Sequence, residues 1–74
     1  MNGWKNNATW NVSLWMQNDE GLYAIARACR KSSTPYRAFV KRLASLGIDS
    51  TPDGVSYTAS RLSIRELNAC IREC

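Results

Sequence analysis

Cys70 and Cys74 stand four residues apart in "NACIREC", a spacing that on a helix would present two thiolates on one face. A closed zinc site needs four ligands, however, and the sequence offers no histidine and only one further cysteine, Cys29. A disulfide between Cys70 and Cys74 would be awkward on a regular helix, and an odd cysteine count argues against a secreted disulfide scaffold. Cys29 and Cys70 therefore read as small buried hydrophobes, and Cys74 as the exposed thiol. Lack of histidine also removes the commonest general base. Of the six acids, Asp19, Glu20 and Glu66 fall where helices should start and Asp53 falls in a turn, so structure accounts for them before catalysis does. No catalytic residue, metal or cofactor is expected, and the chain reads as non-enzymatic.

Charge is the stronger lead. The formal net charge is +4, from ten Lys and Arg against six Asp and Glu. Its excess is local: Arg27, Arg30, Lys31, Arg37, Lys41 and Arg42 follow one another with no acid between them. A surface built from them could meet nucleic-acid phosphates or an acidic protein, or could be no more than a solvated face. No RNP strand, GXXG loop or zinc-finger spacing favours the nucleic-acid reading. The three tryptophans raise the same choice between ligand and core. Aromatic platforms for bases sit in basic grooves, yet Lys5 is the one cation near Trp4, Trp10 and Trp15 in the sequence. Each buried ring removes on the order of 150–250 Å² from water, which so small a chain needs. Trp10 and Trp15 are expected in the core, and Trp4 as a partly exposed lid and contact residue.

These side chains must be positioned by helices separated by short capped breaks. Thr9 or Asn7 can cap a first helix in which Trp10 and Leu14 lie together while Val12, Trp15 and Met16 form a second arc, with Ser13 and Gln17 as the polar edge. Alternation through Trp10, Val12, Leu14 and Met16 also fits a strand, but Trp15 breaks it. Asn18 or Asp19 starts a second helix with Leu22, Ile25, Ala26 and Cys29 inward and Arg27, Arg30 and Lys31 near its end. In "KSSTPY", Ser33 or Thr34 caps a third helix with Pro35 at its first position. Tyr36, Phe39, Val40, Leu43 and Leu46 line one face of that helix, and Gly47 closes it. "IDSTPDGVSYT", Ile48 to Thr58, carries a tight-turn signature at Pro52, Asp53 and Gly54 and makes either a minimal hairpin or an ordered loop. "SIRE" has capping-box spacing and opens a last helix with Ile64, Leu67, Cys70 or Asn68, and Ile71 near one face.

The opening "NGWKNNATWNVSLWMQND", the "DGV" turn and the "ELN" of the last helix together resemble a family of small phage-encoded proteins common in cyanophage genomes. The positions that carry the resemblance are Asn2, Trp4, Asn6, Thr9, Trp10, Asn11, Val12, Leu14, Trp15, Asn18 and Asp19. Asp53, Gly54 and Val55 and then Glu66, Leu67 and Asn68 continue it. This resemblance implies a viral protein working in the host bacterial cytoplasm, and it brings no established activity, cofactor or catalytic residue.

The expectation is one mainly α domain over residues 1–74, a compact bundle of about four helices with the second and third as a hairpin. At this length a core hides only about 60% of the unfolded chain's surface. Trp10, Leu14, Trp15, Leu22, Ile25, Phe39, Val40, Leu43, Leu67 and Ile71 should form that core. No leader segment or membrane-spanning run is read in the sequence. The expected function is to bind a host or phage macromolecule, with a protein favoured and a nucleic acid or transcription-modulating role as the alternative. Contact would be made through Trp4, Arg27, Arg30, Lys31, Arg37, Lys41 and Arg42, by a chain acting as monomer or homodimer.

Overall fold

The computed structural model describes residues 4–74. Four helices follow one another: α1 (Asn7–Asn18), α2 (Glu20–Ala28), α3 (Pro35–Ser45) and α4 (Ile64–Arg72). α2 and α4 each pack against all three other helices, whereas α1 and α3 do not meet. The closest partnerships are α1 with α2 and α3 with α4, so the expected α2–α3 hairpin is present as a weaker contact. No helix among the described residues is long and apolar enough to cross a membrane.

Each helix starts where a side chain can take up an orphaned amide. Asn6, rather than Thr9 or Asn7, caps α1 and accepts from the Thr9 backbone N–H at 2.8 Å. Asp19 closes α1 and opens α2 in one residue: its N–H donates to the Trp15 carbonyl, and its carboxylate accepts from the Leu22 N–H at 2.9 Å. α3 begins with Pro35 at its first turn, and Thr34 makes no side-chain cap there. Asn68 of α4 supplies the missing acceptor, taking the Tyr36 N–H at 2.8 Å. At the far end of α3, Gly47 adopts φ +79° and the N–H groups of Gly47 and Ile48 return to Ala44 and Leu43, the double closure of a left-handed C-terminal turn.

The caps of α1 and α4 are tied together. Thr9 Oγ1 donates to Asn6 Oδ1 at 2.9 Å and accepts the Ser63 N–H at 2.9 Å, while Asn6 Nδ2 donates to the Arg61 carbonyl at 2.7 Å. Ser63 Oγ accepts from the Glu66 N–H at 3.4 Å, which is half of the expected capping box. The other half is diverted. Glu66 Oε1 accepts from the backbone N–H of Lys5 at 2.9 Å, because the Ser63 amide is already held by Thr9.

This tie corrects the expected face of α1. Its buried residues are Ala8, Thr9, Val12, Ser13 and Met16, spaced as one helical stripe. With Thr9 bonded directly to the start of α4, this stripe faces inward, and Trp10, Leu14 and Trp15 lie to its sides. Trp10 and Leu14 are partly buried outside the core cluster, and Trp15 is partly buried against its edge. Of the other expected core residues, Leu22, Phe39, Leu43, Leu67 and Ile71 are buried, while Ile25 and Val40 pack against the cluster from its periphery. Ala26, Cys29, Tyr36, Tyr57, Leu62 and Cys70 complete the core. Phe39 stacks between the two tyrosines, 5.9 Å from each ring centroid, and meets Tyr57 edge-on.

Between α3 and α4 the chain makes a minimal hairpin around an isolated antiparallel bridge, Ser50 to Ser56. Gly54 N–H donates to the Thr51 carbonyl across the Pro52–Asp53 turn, and Gly54 itself takes φ +91°. The Thr51 N–H then returns to the Val55 carbonyl at 2.8 Å. The tip is docked on α1 through polar groups. Asp53 Oδ2 accepts from Asn11 Nδ2 at 2.8 Å and from the Trp15 indole N–H at 2.9 Å, and Thr51 Oγ1 donates to Asn11 Oδ1 at 2.9 Å.

The hydrogen bonds from Asn11 and Trp15 favour the charged Asp53 carboxylate and hold its pKa below the ordinary aspartate value. A group whose folded pKa is lowered supports the folded state above its unfolded pKa and loses that support as pH falls through the folded value. Acidification below about pH 4 should therefore release the hairpin tip before the bundle opens. In a proton–nitrogen NMR titration the Trp15 indole resonance should move with Asp53 protonation, and Asp53→Asn should abolish that step. An indole resonance that ignores pH over this range would refute the dock.

Candidate functional site

The basic residues singled out in the sequence do not form one surface. Arg27 of α2 and Arg30 of the turn after it stand beside Cys74 beyond the end of α4, where Arg30 Nη1 donates to the Cys74 carbonyl at 3.4 Å. Lys31 is exposed in the turn that follows α2, and Arg42 is exposed on α3. Arg37 and Lys41, one turn apart on α3, are the two that the fold brings to a concave site.

That site is a groove of about 430 Å³ between α3 and the start of α4. Its lining is mostly apolar, with Tyr36, Val40 and Ile64 among its residues, and it also takes in Arg37 and Lys41. Ile64 is 46% exposed, in the first position of a helix whose other large apolar residues, Leu67 and Ile71, are buried. The sequence pattern had grouped Ile64 with Leu67 and Ile71; the structure turns it outward, because α4 commits its inner face at Leu67, Cys70 and Ile71.

The groove is held rigidly from behind. Asn68, whose side chain accepts the Tyr36 N–H, locks the start of α3 to α4. Tyr36 is buried and its hydroxyl donates to the Tyr57 carbonyl at 2.7 Å. Burial first, and the neighbouring Tyr57 second, hold the Tyr36 phenol far above its ordinary range. Tyr57 is raised as well, by burial and then by the negative charge of Asp19. Its hydroxyl is buried with no hydrogen-bond partner among the described residues. Both phenols stay neutral at physiological pH and serve the scaffold.

The same grounds assign no chemistry to the cysteines. Cys29 and Cys70 are buried and Cys74 is partly buried. Cys70 Sγ accepts from Gln17 Nε2 at 3.0 Å, and burial pushes its thiol pKa up. The Cys74 thiol is also raised, chiefly by burial and next by Cys70, so both sulfurs are protonated and weakly nucleophilic near neutrality. Among the described residues no three His, Cys, Asp or Glu side chains gather closely enough to hold a metal ion.

The motif that pointed to a family also has a structural explanation. Asn6, Thr9, Asn11, Trp15, Asp19, Asp53, Glu66 and Asn68 each hold a hydrogen bond that joins or starts elements, and Gly54 supplies the left-handed turn. Asn2 lies outside the described residues. A family model matches residues 1–74, the whole chain. The chain belongs to DUF7249, a family of unknown function. No curated protein and no solved structure matches it. DUF7249 membership thus assigns no activity to the chain.

The two tyrosines behind the groove make opposite predictions. Tyr36→Phe removes a satisfied buried hydrogen bond and should cost about 1–2 kcal/mol, leaving the Tyr57 carbonyl unpaired. Tyr57→Phe removes an unpaired buried hydroxyl and should be neutral or stabilising by up to about 1 kcal/mol. Urea unfolding of the two variants measures both; a Tyr57→Phe variant less stable than Tyr36→Phe would contradict the assigned partners.

Proposed function

We propose that this DUF7249 protein is a non-enzymatic viral accessory protein of the bacterial cytoplasm, and that it holds an acidic, amphipathic segment of a protein partner in the groove between α3 and α4. The observation that carries the reading is the combination at one site of an outward-facing Ile64, a mostly apolar lining and the paired cations Arg37 and Lys41. An amphipathic helix laid in a groove buries apolar anchors at helical spacing, while carboxylates on its edge meet the basic side. Charge would steer the encounter and the apolar contact would supply the residence time.

The alternative reading, a nucleic-acid or transcription-modulating protein, uses the same cations differently. Phosphate tracking calls for cations distributed along a path with little apolar surface between them. Here the six basic residues are dispersed, with Arg27 and Arg30 at the end of α4 and the pair on α3 in a mostly apolar lining. Protein recognition is favoured for that reason.

Capture from bacterial lysate on the immobilised protein, with nuclease added, tests the proposal when run with three variants. Ile64→Asp and the double charge reversal Arg37→Glu with Lys41→Glu should each reduce partner retention at least tenfold, while Arg42→Glu should leave it unchanged. Retention that survives both groove variants would refute the site. Retention abolished by nuclease, together with generic DNA binding that falls steeply with salt, would refute the class of partner.

A further inference from the structure

The side-chain amide of Asn68 is only half used by the fold. The Tyr36 N–H is a donor, so the atom that meets it at 2.8 Å is the Asn68 oxygen, and Nδ2 is the other end of the amide. Asn68 belongs to the lining of the groove between α3 and α4 and is partly exposed there. Its two Nδ2 hydrogens have no acceptor among the described residues. Arg37, which follows Tyr36 in the chain, lines the same groove. One end of the groove therefore carries a charged and an uncharged donor, and no acidic side chain belongs to its lining.

Two hydrogen bonds set the direction of the groove. Asn68 meets the start of α3, and Arg72, one turn further along α4, donates from Nη2 at 3.4 Å to the carbonyl of Ser33, ahead of α3. α4 thus runs antiparallel to α3, which places Ile64, one turn before Asn68, toward Val40, one turn into α3. Four residues of helix rise about 6 Å, so the donor end and the apolar end of the groove stand about one helical turn apart. The neighbouring charges on α4 agree with an anionic occupant. Arg65 and Arg72 are cations, whereas Glu66 is engaged by the Lys5 N–H and lines other clefts, as Glu73 does.

Resting on the groove reading above, we propose that Asn68 is a specificity-determining residue of this site. Its Nδ2 and the Arg37 guanidinium together receive one carboxylate of the partner segment, and Ile64 and Val40 receive an apolar side chain about one helical turn away from it. A cation alone attracts any anion. An amide whose orientation is fixed by its own oxygen adds direction, and its hydrogen bond to an ionised carboxylate is stronger than one to a neutral acceptor. The occupant is thus a helical segment with an acidic and an apolar residue three or four positions apart. The two ends of the Asn68 amide divide the work, the oxygen holding α3 and the nitrogen reading the partner.

NMR titration of the full chain with hexanoate, a carboxylate whose alkyl tail is of similar length, tests this directly. Saturable shifts are expected at the Asn68 side-chain amide and the Ile64 methyl groups together, about fivefold weaker with hexanamide and absent with hexylamine. Asn68→Asp keeps an acceptor for the Tyr36 N–H and puts negative charge where the donor stood. It should unfold near the parental urea midpoint and bind hexanoate about tenfold more weakly, and Arg37→Gln, at an exposed position, should weaken binding severalfold. Asn68 resonances that ignore hexanoate, an equal response to hexanamide, or insensitivity to both variants would overturn the proposal. Partner capture with Asn68→Asp separates it from the groove reading. Loss of capture in a folded Asn68→Asp supports the assignment. Capture lost in the Ile64 and Arg37 with Lys41 variants but kept in Asn68→Asp overturns the role of Asn68 alone, and capture kept in all of them removes the groove itself.

Discussion

The hydroxyl of Thr9 is the point on which the arrangement of this bundle depends. It donates to the residue that caps its own helix and accepts from the residue that caps α4, so one fully buried oxygen fixes the starts of two helices that are 54 residues apart in sequence. Asn6 and Glu66 extend the tie to Arg61 and Lys5. For a chain with so small a core, such a polar lock does what apolar area alone does poorly. Burial favours compactness in many arrangements, whereas a satisfied buried network specifies one.

The rest of the geometry follows from that lock. With the start of α4 held against α1, Ala8, Thr9, Val12, Ser13 and Met16 form the buried stripe, and Trp10, Leu14 and Trp15 lie on its flanks. One of them, Trp15, becomes the donor that anchors the hairpin through Asp53. At the other side, Asn68 ties α3 to α4 and leaves Ile64, in the turn before it, facing outward beside Arg37 and Lys41. Across the helix, Glu66 and Glu73 line a cleft walled by Trp4 and Tyr23. The groove and this cleft therefore lie on different faces of α4.

Much of this fold was legible in the sequence wherever a local rule decides. Asp19 as cap, Pro35 at the first turn of α3, Gly47 at its close and Ser63 before α4 each answer to chemistry within a few residues, and each falls as read. Misreadings occurred where a distant partner decides. Hydrophobicity placed Trp10 and Leu14 inside and Ser13 on a polar edge, but Ser13 is buried with its hydroxyl returned to the Trp10 carbonyl, a local solution that a polarity pattern does not reveal. Likewise the "SIRE" box is completed by other partners, since nothing in those four residues announces Thr9 or Lys5. The candidate site was half visible: the run of basic residues was plain, but that only Arg37 and Lys41 reach a groove, and that Ile64 joins them, depends on how α3 and α4 pack.

The measurement that bears most directly on this account is the unfolding free energy of Thr9→Val, a substitution that preserves shape and removes the hydroxyl, beside Thr9→Ser, which keeps it. The lock predicts that Thr9→Val loses about 2–3 kcal/mol, because the Ser63 N–H is left unsatisfied and the hydrogen bond to Asn6 is gone, while Thr9→Ser retains most of the stability. A valine variant as stable as the parent protein, or more stable than the serine variant, would contradict it.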